Sequence, residues 1–362
     1  MHRGVRAPGP RHDRGVNSAP TPSRPAALVL ALVAAACAAC SSGRAPVDQV
    51  AAPVSSARPA AASSVEPPDP AEVGANELGL VPVLMYHRLV ERPVSVYDRT
   101  PAAFRAELER LAAENYVPVT ATEYATGRMD VPAGRHPVVL TFDDGDPTQF
   151  ALGPDGVPAP GTAVAILLEV AARHPGFRPV ASLYVNAAPF GSADGSVVLP
   201  WLREHGFEVG NHTLDHTNLA AAGDAGVQEA IARGQREIQR ALPDQPVTSL
   251  ALPFGAVPAN AELARRGAAD GIAYEHACVL LVGAGPAPSP YSADFDPLAV
   301  PRIRSQDATG QEAAFGSSAW LDKLAADPAG RYTSDGVPER ISHPAARGGV
   351  AAPAFADRVT AY

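Results

Sequence analysis

The sequence predicts an α/β fold built on a parallel sheet, either open or closed into a barrel. Short runs of β-forming residues alternate with helical segments from about residue 80 to residue 304. The helical segments carry capping residues and apolar spacing at three and four. The chain has 362 residues and is 46% apolar, enough for a real core in one large domain or two ordinary ones. Its 38 prolines and 31 glycines imply many loops or an unfolded portion.

Regular structure is expected to begin at "LVPVLMYH", a β-like run from Leu80 to Tyr86. Thr100 caps "PAAFRAELERLAAENY", where Pro101 suits the first helical position and Phe104, Leu108 and Leu111 share one face. "HPVVLTF" follows as a strand, "TAVAILLEVAARH" as a largely apolar helix, and "PVASLYV" as the next strand. "PWLREHG" reads as a short helix, "FEVGNH" as a strand, and "DAGVQEAIARGQREIQRAL" as a long helix ended by Pro243. "VTSLALPFG" continues the rhythm. A helix through "AELARRGAAD" and strands in "GIAYEHACVLLVG" and "LAVPRI" complete it. No internal repeat interrupts the pattern.

The region before residue 79 reads differently. The apolar run "AALVLALVAAACAAC" is preceded by Arg24 and followed by "SSG". A basic flank, a short apolar segment and small residues before a cysteine read as an export signal, and the run is short for a transmembrane helix. It resembles a bacterial lipoprotein signal, with Cys40 the expected lipidated residue and Cys37 the alternative; a plain cleaved signal or an uncleaved anchor are the other readings. Residues 1–40 are thus assigned to an N-terminal extension and signal. Residues 41–78, rich in Ala, Pro and Ser, are assigned to a disordered tether, and 79–362 to one folded domain. The expected location is the outer face of the cell membrane, or secreted. Cys278 is then left without a partner, so no disulfide framework is expected. The net charge of −9, with no basic run, argues against nucleic acid as a partner.

Chemistry enters at "VVLTFDDGDP", where a β-forming run stops on two adjacent carboxylates and a glycine. In α/β folds functional residues gather at the carboxyl ends of strands, where Asp143 and Asp144 fall. Adjacent acids repel, and burying them is costly unless a cation or hydrogen-bond donors compensate. A second stretch, "GNHTLDHTNLA", places His212 and His216 four apart just after a strand. If the segment is one helical turn, both imidazoles share a face and reach one ion. Two histidines and a carboxylate with positions left open are a catalytic zinc pattern. Asp144 is the expected third ligand, leaving Asp143 free as a base toward water that the cation acidifies. Alone, each motif is more often a solvated turn or two surface histidines; in order at strand ends they reinforce one another.

"LTFDDG", "NHTLDH" and "LPFG", in this order after "PVLMYHR", resemble the polysaccharide deacetylases of the NodB-homology group, carbohydrate esterase family four. The resemblance covers about Val81 to Arg304 and implies a distorted (β/α) barrel and metal-dependent hydrolysis of acetyl groups from a polysaccharide or oligosaccharide. By it Asp143 is the catalytic base, and Asp144, His212 and His216 hold a divalent metal, Zn2+ by expectation. The Phe254 backbone helps hold the oxyanion. The longer features "DDGDPTQF" and "TAVAILLEVAARHPGF" resemble a less characterised branch of the group.

Two positions depart from the family pattern. Ala251 stands where many relatives carry an arginine beside the base, and Arg302 in "VPRIR" is the candidate substitute, against a surface ion pair. No clear match exists to the late Leu-x-His motif that supplies the general acid; His87 is the best placed candidate, with His276 read as structural and His343 as surface. Trp201 and Tyr184 could stack on sugar but are read as core. The expected function is N-deacetylation of a polysaccharide. The alternatives are an O-acetyl esterase of the xylan type and a non-catalytic glycan-binding lipoprotein that keeps the barrel.

Overall fold

The computed structural model describes residues 68–362, apart from 284 and 348. The apolar run with Cys37 and Cys40, and the tether up to residue 67, lie outside the described residues. The expected boundary at 79 is too late. A short helix, α1 (Pro70–Val73), is capped by the Asp69 side chain. Asn76 and Glu77 behind it are buried, bonded to residues 329–342. Their partners lie more than 250 positions away, so this stretch looks like linker when read locally.

Strand β1 (Val83–Tyr86) leads to helix α2 (Pro101–Ala113), where the Thr100 hydroxyl accepts the Ala103 N–H as expected of a cap. Next come β2 (Tyr116–Val119), α3 (Ala121–Ala125) and β3 (His136–Phe142). Helix α4 (Ala163–Arg173), capped by Thr162, precedes β4 (Ser182–Val185). Helix α5 (Val198–Glu204), β5 (Glu208–Asn211), α6 (Asp224–Ala241) and β6 (Ser249–Ala251) follow.

The helix expected through "AELARRGAAD" is only four residues long, α7 (Glu262–Arg265). Beyond it β7 (Arg266–Ala269) and β8 (Ile272–Glu275) form an antiparallel hairpin. Asp270 and Gly271, at φ 50° and 76°, supply the two left-handed residues a tight hairpin turn requires, so turn chemistry overrides helical propensity. The chain continues through β9 (Cys278–Leu280), β10 (Ile303–Arg304), α8 (Ser317–Ala326) and the parallel pair β11 (Ile341–His343) and β12 (Val359–Ala361).

The main sheet runs β10-β1-β3-β4-β5-β6-β9, all parallel, with β2 also on β3. Its two ends are brought together by residues 300–304. Val300 bridges Leu280 at the end of β9, while Ile303 and Arg304 pair with Leu84 and Met85 of β1. The result is the distorted (β/α) barrel. Side chains alternate across it, as strand geometry demands. Leu84, Tyr86, Leu140, Phe142, Leu183, Val209 and Ile303 face the helices in one core, while Val83, Val139, Tyr184, Ala251, Leu280 and Val300 fill the interior. Gly210 is required by this filling, because a Cβ there would meet the Tyr184 ring at 2.3 Å. On the outer side, buried Glu107 of α2 accepts the Tyr86 and Ser305 hydroxyls at 2.6 and 2.8 Å and also that of Ser317, tying α2 to β1, β10 and α8.

Glu77 is 3% exposed and accepts the Ser342 N–H, with Asp335 and Tyr332 beside it and Arg340 on Asp335. Burial pushes its carboxyl up to about 7 from an ordinary 4.5. Between these values the folded chain holds a proton that the unfolded chain has lost, so stability falls as pH rises through that window, by roughly 3 kcal/mol. Urea denaturation from pH 4 to 8 should show this slope in the native sequence and lose it in Glu77→Gln. The same slope in both proteins would show that this carboxyl titrates normally.

Candidate metal centre and paired carboxylate

Asp143 and Asp144 end β3 at the carboxyl mouth of the barrel. Successive strand residues point to opposite faces, so two neighbouring acids would ordinarily diverge. Asp144 lies at φ 78° and Gly145 at φ 60°, and this left-handed step turns the Asp144 carboxylate back over the mouth. Asp143 points inward and is 2% exposed.

The inward acid is met by a fully buried arginine. Arg302 donates to both Asp143 oxygens at 2.7 Å; its third contact, also 2.7 Å, is from Nε to the Leu281 carbonyl, and Thr141 Oγ1 accepts at 3.2 Å. Arg302 therefore occupies the place the absent arginine at 251 left open, reaching the carboxylate from the ring-closing segment instead. Burial alone would raise the Asp143 carboxyl. The guanidinium, followed by His212, overcomes that and holds it well below the usual carboxylate range.

His212 and His216 do not sit on a helical turn. They flank a loop in which Thr213 and His216 are left-handed, at φ 57° and 49°. The rings still converge, their centroids 4.9 Å apart. Polar side chains fix this loop: Asn186 donates to the carbonyls of His212 and Thr213, and Asn211 accepts the Thr213 N–H while donating to Ile231 of α6. Gly234 of α6 permits that approach, since a Cβ there would come within 2.2 Å of Asn211 Oδ1.

His212 Nδ1 lies 2.7 Å from the Ala251 carbonyl. With Nδ1–H donating there, Nε2 is left as a free acceptor, the tautomer a metal ligand needs. That Nε2 is 3.5 Å from Asp144 Oδ1, and His216 Nε2 is 3.6 Å from the same oxygen. One ligand atom from each of the three residues lies within 4.8 Å of the others. Two imidazole nitrogens and one carboxylate oxygen, facing a partly open mouth, fit a divalent cation such as zinc with positions to spare.

His87 follows β1 into the same mouth. Burial lowers its pKa, and Asp143 and Asp144 pull it the other way. Its Nδ1 is buried without a partner among the described residues. Phe254 lies in the 3-10 turn after β6 at φ 60°, its ring 4.4 Å from that of His216. The seven expected site residues thus share one end of the barrel. The other histidines do not join them: His276 is buried against the Ala264 carbonyl, and His343 lies buried in β11, not on the surface as expected. Tyr184 is interior, and Trp201 packs on the outer core. Gln149, inside "DDGDPTQF", donates to the carbonyls of both Asp143 and His87 and locks the two strand ends together.

Removing one partner of a buried ion pair leaves an uncompensated charge, at a cost of about 3–5 kcal/mol. Arg302→Ala should lose that much in urea denaturation, and the double variant Arg302→Met/Asp143→Leu should regain most of it. Additive losses in the two positions would mean the pair is not coupled.

Residues 185–271 match the family model described as polysaccharide deacetylase. A stretch of 122 residues is 31% identical to the chitooligosaccharide deacetylase of Sinorhizobium fredii (strain NBRC 101917 / NGR234), over 34% of this chain and 48% of that protein. The match thus spans about half the length of that curated relative. Of solved structures, BA0330 from Bacillus anthracis superposes with a TM-score of 0.48 at 21% identity, over 67% of this chain and 69% of that one. IcaB from Ammonifex degensii gives 0.46 at 20%, over 68% and 96%. The matched stretch contains "NHTLDH" and "LPFG", and the barrel brings "LTFDDG" to the same mouth; in this core the chain is similar to the polysaccharide deacetylases.

Proposed function

We propose that the protein is a metal-dependent hydrolase that removes acetyl groups from an N-acetylated cell-surface or extracellular polysaccharide. One observation carries the reading: an ionised, arginine-clamped carboxylate stands beside a three-residue cation cradle in a single barrel mouth. Asp144, His212 and His216 would hold the ion. When bound, the ion supplies Lewis acidity toward an acyl oxygen and toward water.

The chain's own groups do the rest. Asp143, kept ionised by Arg302, takes the proton from water at the acyl carbon. The Phe254 backbone N–H serves the developing oxyanion from the opposite side. His87 would deliver the proton to the departing amine; since burial lowers its pKa, it would first take up the proton that Asp143 removes from water, and it then releases it readily. Arg302 on both oxygens of Asp143 also speaks against the non-catalytic, glycan-binding reading.

Acetate release from N-acetylated oligosaccharides, with acetylated xylan as the rival substrate and chelator as the control, tests the reaction. The N-acetylated substrate should be turned over and chelator should abolish turnover; preference for xylan would move the reading to an O-acetyl esterase. His212→Ala and Asp144→Ala should lose bound metal and activity together. Asp143→Asn should keep the metal and lose on the order of 10² or more in rate. Equal metal loss in all three would overturn the division of roles.

We extend the proposal to location, on the export-type run ending at Cys40. The protein would be tethered by lipid at the outer face of the membrane. Cys40→Ala should then release it from the membrane fraction, whereas Cys37→Ala should leave it there. The reverse result would move the modified residue to Cys37.

A further inference from the structure

The turn that follows the two acids reaches back to the neighbouring strand and takes hold of the segment that carries His87. Asp146 and Pro147 open a four-residue turn in which the Gln149 N–H donates to the Asp146 carbonyl at 2.9 Å. The Asp146 carboxylate braces it, accepting the Thr148 N–H and hydroxyl at 2.8 and 2.7 Å. Thr148 Oγ1 accepts the Leu89 N–H at 3.0 Å, while Gln149 Nε2 donates to the His87 carbonyl at 3.2 Å and to that of Asp143. His87 and Leu89 are thus gripped by Thr148 and Gln149. The grip is anchored from behind, since the Gln149 carbonyl accepts the Val164 N–H of α4 at 3.0 Å.

Gln149 is 0% exposed, and a carboxamide so enclosed needs partners at both of its ends. Two carbonyl acceptors around one end fix that end as the nitrogen. The other end, Oε1, is buried with no partner among the described residues, and so is His87 Nδ1. The two orphans are complementary: Oε1 can only accept, and Nδ1 donates whenever it carries the ring proton. Left apart, each costs about 1–3 kcal/mol. Only the tautomer with hydrogen on Nδ1 lets a single contact satisfy both.

We propose that Gln149 is the positioning residue of His87: Oε1 accepts the Nδ1 proton once the ring turns onto it, which commits Nε2 to every proton that enters or leaves the ring. One carboxamide would then hold the backbone of the base together with the backbone and ring of its partner. An amide suits the task, because it accepts from Nδ1 without adding a third negative charge beside Asp143 and Asp144. The proton-transfer role of His87 rests on the hydrolase reading given above; the choice of tautomer does not.

Nitrogen NMR of the full, zinc-loaded protein with isotope-labelled histidine reads the tautomer at pH 8, with His87→Ala identifying the His87 signals. The native sequence should show Nδ1–H as the main neutral form. Gln149→Met, which keeps the volume and removes the carboxamide, should shift the ratio toward Nε2–H by roughly fivefold or more. It should also lower kcat on an N-acetylated oligosaccharide by about 10- to 100-fold, with KM within about twofold and bound zinc unchanged. Gln149→Glu keeps an acceptor oxygen in place and should retain the Nδ1–H form. A native protein that is mainly Nε2–H would overturn the proposal, even if Gln149→Met failed to fold. An unchanged tautomer ratio or unchanged kcat in a folded Gln149→Met protein, or loss of the Nδ1–H form in Gln149→Glu, would do the same. An Nδ1–H form that Gln149→Met removes, with no acetate release by the native sequence, would uphold the positioning and sink the hydrolase reading instead.

Discussion

Arg302 and Asp143 face each other through two 2.7 Å contacts, with their side chains 0% and 3% exposed, and two full charges so enclosed are tolerable only when every lone pair and donor is spoken for. The surrounding structure supplies most of these partners. The Leu281 carbonyl and Thr141 hydroxyl take further Arg302 donors, and Gln149 fixes the Asp143 backbone. The arginine comes from the segment that joins the first and last strands of the ring, so the pair also pins barrel closure. The fold and the buried carboxylate are held by the same contact.

A division of labour between two adjacent carboxylates follows. Asp143 is neutralised from inside by a guanidinium, which leaves Asp144 alone to face the histidines. The left-handed backbone at Asp144 makes this possible, since an extended residue there would send its carboxylate toward the helices. On the other side of the mouth, the Ala251 carbonyl accepts from His212 and sets which nitrogen is free. An alanine that looked like a missing part therefore sits where its backbone is needed.

Much of this was legible in the chain. Capped helices at Thr100 and Thr162 and the strand "HPVVLTF" appear where their residues indicate, because local hydrogen bonds and period-two burial decide them. Strand β2 was hidden by Pro118, which lacks a ladder donor and is tolerated because β2 pairs only with β3. The β7–β8 hairpin was hidden by good helix formers, although Asp270-Gly271 carried the turn signal. At the site, residue types and spacing pointed to Asp144, His212 and His216, which lie together, and named Arg302 as a candidate beside a surface-pair reading, yet the helical turn invoked for the two histidines was the wrong geometry. Gln149, the buried His343 and the unpaired His87 Nδ1 depend on contacts across the sheet or between distant loops, which no local pattern reports.

Residues 300–304 both close the ring and deliver the arginine, and this has a consequence for synthesis on the ribosome. Arg302 lies 159 positions after Asp143, so at about 5–20 residues per second it emerges roughly 8–30 s later. The three cradle residues are all available by His216, long before then. Until that segment pairs, Asp143 lacks its counter-charge and the ring lacks its closing contacts. The three cradle residues all precede that segment in the chain, whereas the Asp143 carboxylate is neutralised only when it pairs, so the two halves of the site depend on different stretches of sequence.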